Sequence, residues 1–365
     1  MVKKKICISF EHMKPSNGVS RAAFSVANLL VKKYDVTLIP LFSFDKETLK
    51  MISPEVHVTP VFGFYFHSFA QIVDLIPDRL LYWFIFGRRH FDLEIAFQMI
   101  MPTKIIAGAP RRSKNSRIAW MHGYDEGLVL RSQYERIGKV VCVSRQNAER
   151  LAKELPTIVA DYCYNPIDDK LVVKQGGEPI ELRRPDDCLL FVSVGRHSPE
   201  KGYMRLLNIV RRLTDEGYHF RLWLVGDGPQ HQQLVSHADE LKLGDVVTFT
   251  GADTNPHKYT SKADVFICSS FREGYSTACT EAIMLGVPVI STDVGGSREI
   301  IEDSEAGIHC ALDDEALYNA MKTVLDNPQM IGTWKEKLKT TSKRFSQEER
   351  SKKLFDLVEE GLTNA

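Results

Sequence analysis

The sequence predicts an α/β protein built from two doubly wound domains. Apolar runs of strand length alternate with segments of helical period along the whole chain, the pattern of parallel sheets covered by helices. At 365 residues the chain exceeds the usual size of one core, and a hydrophobic content of 44% is enough for two. Two strand–loop–helix units in the second half, LLFVSVGRHSPEKGYMRLLNIV and the segment from Ala263 to Gly286, carry charged side chains in their loops.

From the N-terminus, Lys5 to Phe10 reads as a short buried strand. The loop EHMKPSNGVSR follows, then a helix from about Val19 to Lys33 with Phe24, Ala27, Leu30 and Val31 on its apolar positions. The stretch from Val61 to His90 concentrates aromatic residues, and a helix beginning at Pro77 is apolar on every side from Leu80 to Phe86 before it meets Gly87, Arg88 and Arg89. Such a helix must be buried in something. Packing inside the first domain is the favoured reading, and the functional alternative is a membrane-facing surface with rings at the headgroup level and arginines on anionic phosphates. Ile118 to Trp120 forms a strand that leads into His122, and Val140 to Val143 another that leads into SRQNAERL. Asn165 to Asp168, in YNPID, is the expected exit from the first domain. VKQGGEPIELRRPDD, without helical period, is an expected linker.

In the second half Leu189 to Val194 is a continuous apolar strand ended by Gly195, and a helix from near Gly202 puts Leu206, Leu207, Val210 and Leu213 on one face. The loop between them offers Arg196, a planar fork for phosphate oxygens, and Lys201, a point charge. Ala263 to Cys268 is the next candidate strand. Ser269 to Tyr275 makes a turn, and Ser276 or Thr277 caps a helix that runs to Leu285 and stops at Gly286. A helix start beside small residues presents free N–H groups and a positive dipole end, which suit a pyrophosphate. Glu281 on the first turns can accept from ribose hydroxyls. Glu273, eight residues earlier in the turn, faces whatever the far phosphate carries. Taken alone, E-x7-E is a weak signal; the cationic loop beside it raises its weight. Ser346 to Leu362 reads as a capped helix with Leu354, Leu357 and Val358 on one face.

GRHSPEKG, LVGDGP, VTFTG and EGYSTACTEAIMLGVPVI follow in the order seen in retaining glycosyltransferases of family 4, which the chain resembles well over residues 189–310 and more loosely before them. The resemblance implies the GT-B fold: an acceptor-binding domain over residues 1–168, a nucleotide-sugar-binding domain over 169–345, a central cleft, and a final helix, 346–365, packing back on the first domain. It implies that Arg196 and Lys201 bind the donor diphosphate, that Glu273 contacts the donor sugar and Glu281 the ribose, and that the backbone of Gly274, Tyr275, Ser276 and Thr277 lies along the sugar and phosphates. His122 matches a histidine that approaches the donor sugar and helps hold the transition state; a buried histidine bonded to a backbone carbonyl is the plainer alternative. Asn17 and Gly18 match a glycine-containing loop over the donor, although the usual double glycine is absent. His122, Glu273, Arg196 and Lys201 are thus the expected catalytic residues.

The resemblance also implies a UDP-sugar as donor by family habit, no further cofactor, and a glycan acceptor. The EGYSTACTEA and PTKIIAG stretches look most like bacterial cell-surface polysaccharide transferases, which suggests a polyprenyl-diphosphate-linked oligosaccharide. A sugar-nucleotide epimerase of the same fold and a non-catalytic sugar-nucleotide-binding subunit are the alternatives; a subunit without catalysis is expected to have lost one of Glu273, Arg196, Lys201 or His122, and all four are present. A glycosidase pair is disfavoured, because a cationic loop suits a phosphate leaving group and nothing marks a raised-pKa carboxyl. With no D-x-D, H-x-H or H-x-x-x-H in the chain, a metal clamp is not expected.

With 47 acidic and 47 basic side chains the formal net charge is zero, so no global field recruits nucleic acid. Seven cysteines without C-x-x-C spacing argue against a disulfide framework and against zinc, and Cys142 and Cys268 read as small hydrophobes in strands. The basic N-terminus is followed by too short an apolar run for a signal peptide, and no transmembrane helix is expected. The expected place is the cytoplasm, with peripheral contact at the inner membrane face if residues 61–90 are its surface.

Overall fold

The computed structural model describes residues 2–14, 17–64, 72–73, 75–110, 116–124 and 130–363. The chain divides into two compact units, Met1–Pro166 with Arg350–Ala365, and Ile167–Glu349.

The first unit is a seven-stranded parallel sheet. Its strands are β1 (Lys5–Phe10), β2 (Asp35–Pro40), β3 (His57–Val58), β4 (Leu93–Ala96), β5 (Ser116–Met121), β6 (Lys139–Cys142) and β7 (Val159–Tyr162). Their order is β3-β2-β1-β4-β5-β6-β7, so the winding reverses between β1 and β4. Ile6, Cys7 and Ile8 are fully buried, as a central parallel strand requires. The helix Gly18–Leu30 ends three residues before the expected Lys33; Asn17 caps it, its side chain accepting from the N–H groups of Val19 and Ser20.

The aromatic segment departs from expectation. The helix Asp78–Phe86 buries Leu81, Tyr82, Ile85 and Phe86 but leaves Leu80, Trp83 and Phe84 exposed, so it is not enclosed on all sides. The 3.6-residue turn is the reason: positions 81, 82, 85 and 86 share one face, and 80, 83 and 84 the other. Residues 65–71 and 74 of that segment lie outside the described residues, as do 15–16 of the first loop and 125–129 after His122.

The second unit is a six-stranded parallel sheet in the order β10-β9-β8-β11-β12-β13. Its strands are β8 (Leu189–Val194), β9 (Phe220–Val225), β10 (Val247–Gly251), β11 (Val265–Cys268), β12 (Val289–Thr292) and β13 (Gly307–Cys310). Here the reversal falls between β8 and β11. The helix Tyr203–Asp215 turns Leu206, Leu207, Val210 and Leu213 into the core. The expected linker from Val173 is corrected at its start: Val173 to Gly176 finish the helix Asp169–Gly176, which Asp168 caps. Periodicity missed it because only two turns form and Gly176 closes them.

The last helix, Gln347–Thr363, buries Leu354, Leu357 and Val358. From Arg350 its residues belong to the first unit, where Gly361 approaches the side chains of Leu93 and Ile118.

Candidate active site

Both sheets are wound outward from an internal strand pair, and loops leaving the carboxyl ends of such a pair diverge to opposite sides and leave a crevice between them. In the second unit the loop after β8 carries Arg196 and Lys201, and the turn after β11 carries Glu273. Residues 72 apart in sequence are thereby brought together: Lys201 Nζ lies 2.6 Å from Glu273 Oε1. Ser270 Oγ donates to the same oxygen at 2.7 Å. Burial works against the Lys201 ammonium, yet the Glu273 carboxylate outweighs it and holds the lysine pKa above its ordinary value. The lysine therefore stays charged. The residues expected on the diphosphate and on the sugar touch each other directly, a contact that spacing could not reveal.

The turn is held from beneath by Arg205, a residue sequence reasoning passed over. Its guanidinium is buried; Nε donates to Ser269 O at 2.9 Å, and Nη2 to Ser269 O at 2.5 Å and Ser270 O at 2.8 Å. Desolvation lowers its pKa from the ordinary arginine value. Its plane lies 3.9 Å from the ring centre of Phe271. An arginine on the inner face of an otherwise apolar helix stripe was the available signal. Gly202 has φ +68°, and a Cβ there would stand 2.2 Å from Ser269 O, so the loop and the turn meet backbone to backbone.

Arg196 is exposed and makes no ion pair within 4 Å among the described residues. The next residue anchors it. His197 is buried, its N–H donates to Asp227 O at 2.9 Å, and its carbonyl accepts from Gln230 N at 2.9 Å. Its Nδ1 lies 2.9 Å from His231 Nδ1 with the rings inclined by 14°. The close approach explains the glycine of GDGP, since a Cβ on Gly228 would meet His197 O at 2.5 Å. Burial, then the neighbouring His231, lowers the His197 pKa to about 4, so His197 is held as a neutral imidazole. His197, Asp227 and His231 also place ligand atoms within 4.8 Å of one another, a grouping that no linear motif announced.

Ser276, not Thr277, caps the helix Thr277–Met284: its Oγ accepts from Cys279 N at 3.3 Å. Tyr275 is buried and Gly274 partly so, while Thr277 is exposed. Glu281 lies on this helix with Oε2 3.9 Å from His257 Nδ1. Cys268, at the end of β11, is more than a small hydrophobe: the Cys279 thiol donates a hydrogen bond to its sulfur and, against desolvation, lowers its pKa to about 6.

In the first unit His122 follows β5. Phe97 offers it a backbone carbonyl, and the Phe97 ring stands edge-on at 4.6 Å. Burial lowers its pKa to about 4, and Nε2 is buried with no partner among the described residues. A neutral imidazole with one free ring nitrogen results. Asn17 Oδ1 is committed to capping, whereas Gly18 has nothing within 4 Å of an added Cβ. Sequence reasoning missed Glu11, which leaves β1 beside the switch point; Gln98 Nε2 donates to it at 3.1 Å, and burial raises its pKa to about 7.

Two parallel doubly wound units of seven and six strands, the second with a cation–carboxylate site at its switch point, define a GT-B protein. Sucrose-phosphate synthase from Thermosynechococcus elongatus has the same fold, with a TM-score of 0.79 at 17% identity over 100% of both chains. HepE from Anabaena, solved with UDP and glucose, gives 0.72 at 17% identity over 98% of this chain and 100% of that one. Residues 178–344 match the sequence model of the glycosyl transferases group 1 family. Among curated relatives, the lipopolysaccharide core biosynthesis glycosyltransferase LpsD of Rhizobium meliloti is 27% identical over 266 residues, 69% of this chain and 72% of its own length. The N-acetylgalactosamine-N,N'-diacetylbacillosaminyl-diphospho-undecaprenol 4-alpha-N-acetylgalactosaminyltransferase of Campylobacter jejuni is 30% identical over 217 residues. That match spans 58% of this chain and 57% of the relative.

Proposed function

We propose that this chain is a retaining glycosyltransferase that moves a hexose or N-acetylhexosamine from a UDP-sugar to a glycan acceptor carried on a polyprenyl diphosphate, in the synthesis of a bacterial surface polysaccharide at the cytoplasmic face of the membrane. The Lys201–Glu273 contact at the second switch point carries this reading. It is supported by the names of the relatives, one acting on a diphospho-undecaprenol-linked sugar and one in lipopolysaccharide core synthesis, and by UDP and glucose in a protein of the same fold.

The chemistry follows from the charges. When the bond between anomeric carbon and phosphate oxygen breaks, the sugar becomes oxocarbenium-like and negative charge grows on the departing diphosphate. On this reading Arg196 and Lys201 are the cations that receive it, aided by the positive end of the helix that starts at Thr277, with no metal clamp invoked. Glu273, paired with Lys201, remains an acceptor for sugar hydroxyls and does not act as a nucleophile. Glu281 takes the ribose. His122, neutral, offers its free ring nitrogen to a donor hydroxyl, and Gly18 leaves room for the donor. The acceptor hydroxyl enters on the face the diphosphate leaves, and its proton goes to that diphosphate.

Donor binding and slow donor hydrolysis across UDP-, GDP- and ADP-sugars test the reading. One nucleotide sugar is expected to bind and be hydrolysed by the parent protein, and Arg196→Ala, Lys201→Ala or Glu273→Ala to lower turnover by about 10² or more. If no donor binds, or the variants match the parent, the site assignment fails.

A further inference from the structure

We propose that the outer face of the helix Asp78–Phe86 is a docking surface for an anionic lipid bilayer. Leu80, Trp83 and Phe84 form its apolar stripe, exposed by 58%, 69% and 67%, and Leu75 just before it is exposed by 83%. These side chains cannot turn inward. The opposite face is already seated in the core through Leu81, Tyr82, Ile85 and Phe86, and the Tyr82 hydroxyl is pinned to Glu94 Oε1 at 2.8 Å. Phe84 in turn stacks on Phe62, with centroids 6.4 Å apart.

Charge selects the occupant. Arg79, Arg88 and Arg89 are exposed on and beside the helix, and none makes an ion pair within 4 Å among the described residues. Among the described residues the acids close by in sequence are engaged elsewhere, Asp78 with Arg136 at 3.9 Å and Asp92 with Lys4 at 3.0 Å. In a chain whose formal charge is zero, this is a local cationic excess beside an apolar stripe. A second copy docking through the same face would set these arginines against their own equivalents, which costs rather than stabilises. An anionic headgroup layer satisfies both features: the rings enter the interface while guanidinium groups bind phosphates. At nine residues, about 14 Å, the helix lies in the interface and does not cross it. Among the described residues no helix is long and apolar enough to cross a membrane.

The protein contains its own probe. Of its four tryptophans, Trp120, Trp223 and Trp334 are buried and Trp83 alone is exposed. Adding phosphatidylglycerol vesicles to the full chain, without any nucleotide sugar, is expected to shift tryptophan emission to the blue and to allow quenching by brominated acyl chains. Both signals should vanish in Trp83→Phe, which retains binding. Cosedimentation is expected to weaken roughly tenfold or more in Arg88→Gln/Arg89→Gln and with added salt, and in Trp83→Ala/Phe84→Ala. Unchanged emission, equal binding to phosphatidylcholine vesicles, or aromatic variants that sediment like the parent overturn the proposal. A dimer that Trp83→Ala dissociates overturns it in favour of self-association. The proposal does not rest on glycosyl transfer: a protein that hydrolyses no donor still passes or fails this test.

Discussion

Glu11 leaves β1 where the first sheet reverses, and its carboxyl carries a pKa of about 7 against an ordinary 4.5. Burial is the cause, only partly countered by the backbone N–H of Met101. The sign of the linkage follows. A carboxyl whose folded pKa is raised contributes its full stability below the unfolded pKa and loses it as pH rises through the folded value. The protein should therefore lose on the order of 3 kcal/mol between about pH 4.5 and pH 8 through this one group. Glu11→Gln removes the titration, so its Tm should exceed the parent's at pH 8 and match it at pH 4. Two parallel Tm-against-pH curves would disprove the assignment. The histidines work in the opposite direction. His122 and His197, both lowered to about 4, stabilise fully above the unfolded pKa near 6.5 and lose that contribution as the solution is acidified toward 4.

At the scale of elements, two glycines at strand-to-helix loops separate fold from function. Gly202 joins the cationic loop to the turn after β11, and Gly202→Ala meets both a left-handed φ and the Ser269 carbonyl at 2.2 Å. Its cost is expected at about 2 kcal/mol or more in urea denaturation, with donor turnover falling alongside. Gly18 begins the helix Gly18–Leu30, where an added Cβ meets nothing. Gly18→Ala should leave stability unchanged or raise it by up to about 1 kcal/mol, and should nevertheless weaken donor binding, since the open space is the donor's on the proposed reading. Loss of stability in Gly18→Ala, or intact donor binding, would show that this loop is an ordinary turn. The caps follow the same logic. Asn17, Ser144, Asp168, Ser276 and Asp313 each start a helix by accepting from its first turn; residue type made the Ser276 start readable, whereas the short helix that Asp168 caps was read as linker because its period is too brief to show.

At the scale of the whole chain, the last helix returns to the unit formed by the N-terminal residues. Leu354, Leu357 and Val358 are at most 1% exposed, and Gly361 stands where a Cβ would be 3.2 Å from Leu93. Truncation after Glu349 uncovers these aliphatic contacts, a loss of several kcal/mol at about 2 for each buried side chain. Amide hydrogen exchange should show β4 and β5 losing protection while β8 to β12 keep theirs. Equal loss in both sheets would mean that the two units unfold as one.

The strand runs, the helix stripes and the order of the charged loops were legible in the chain, because burial on both faces of a parallel sheet demands continuous apolar residues and because helix starts demand particular side chains. Periodicity cannot see what lies across a sheet. Whether Lys201 meets Glu273 depends on β8 and β11 being neighbours although β9 and β10 intervene, and that is a property of winding order. The same holds for Arg205 under the turn, for His197 against His231, and for Glu11 beside Gln98, each joining segments whose separation in sequence says nothing of their distance in space. The helix Asp78–Phe86 is the sharpest instance. Its sequence determined that the helix is apolar all round; only packing against the sheet decided which half would be core and which would be left facing out, because the core offered a surface to one side of the cylinder alone.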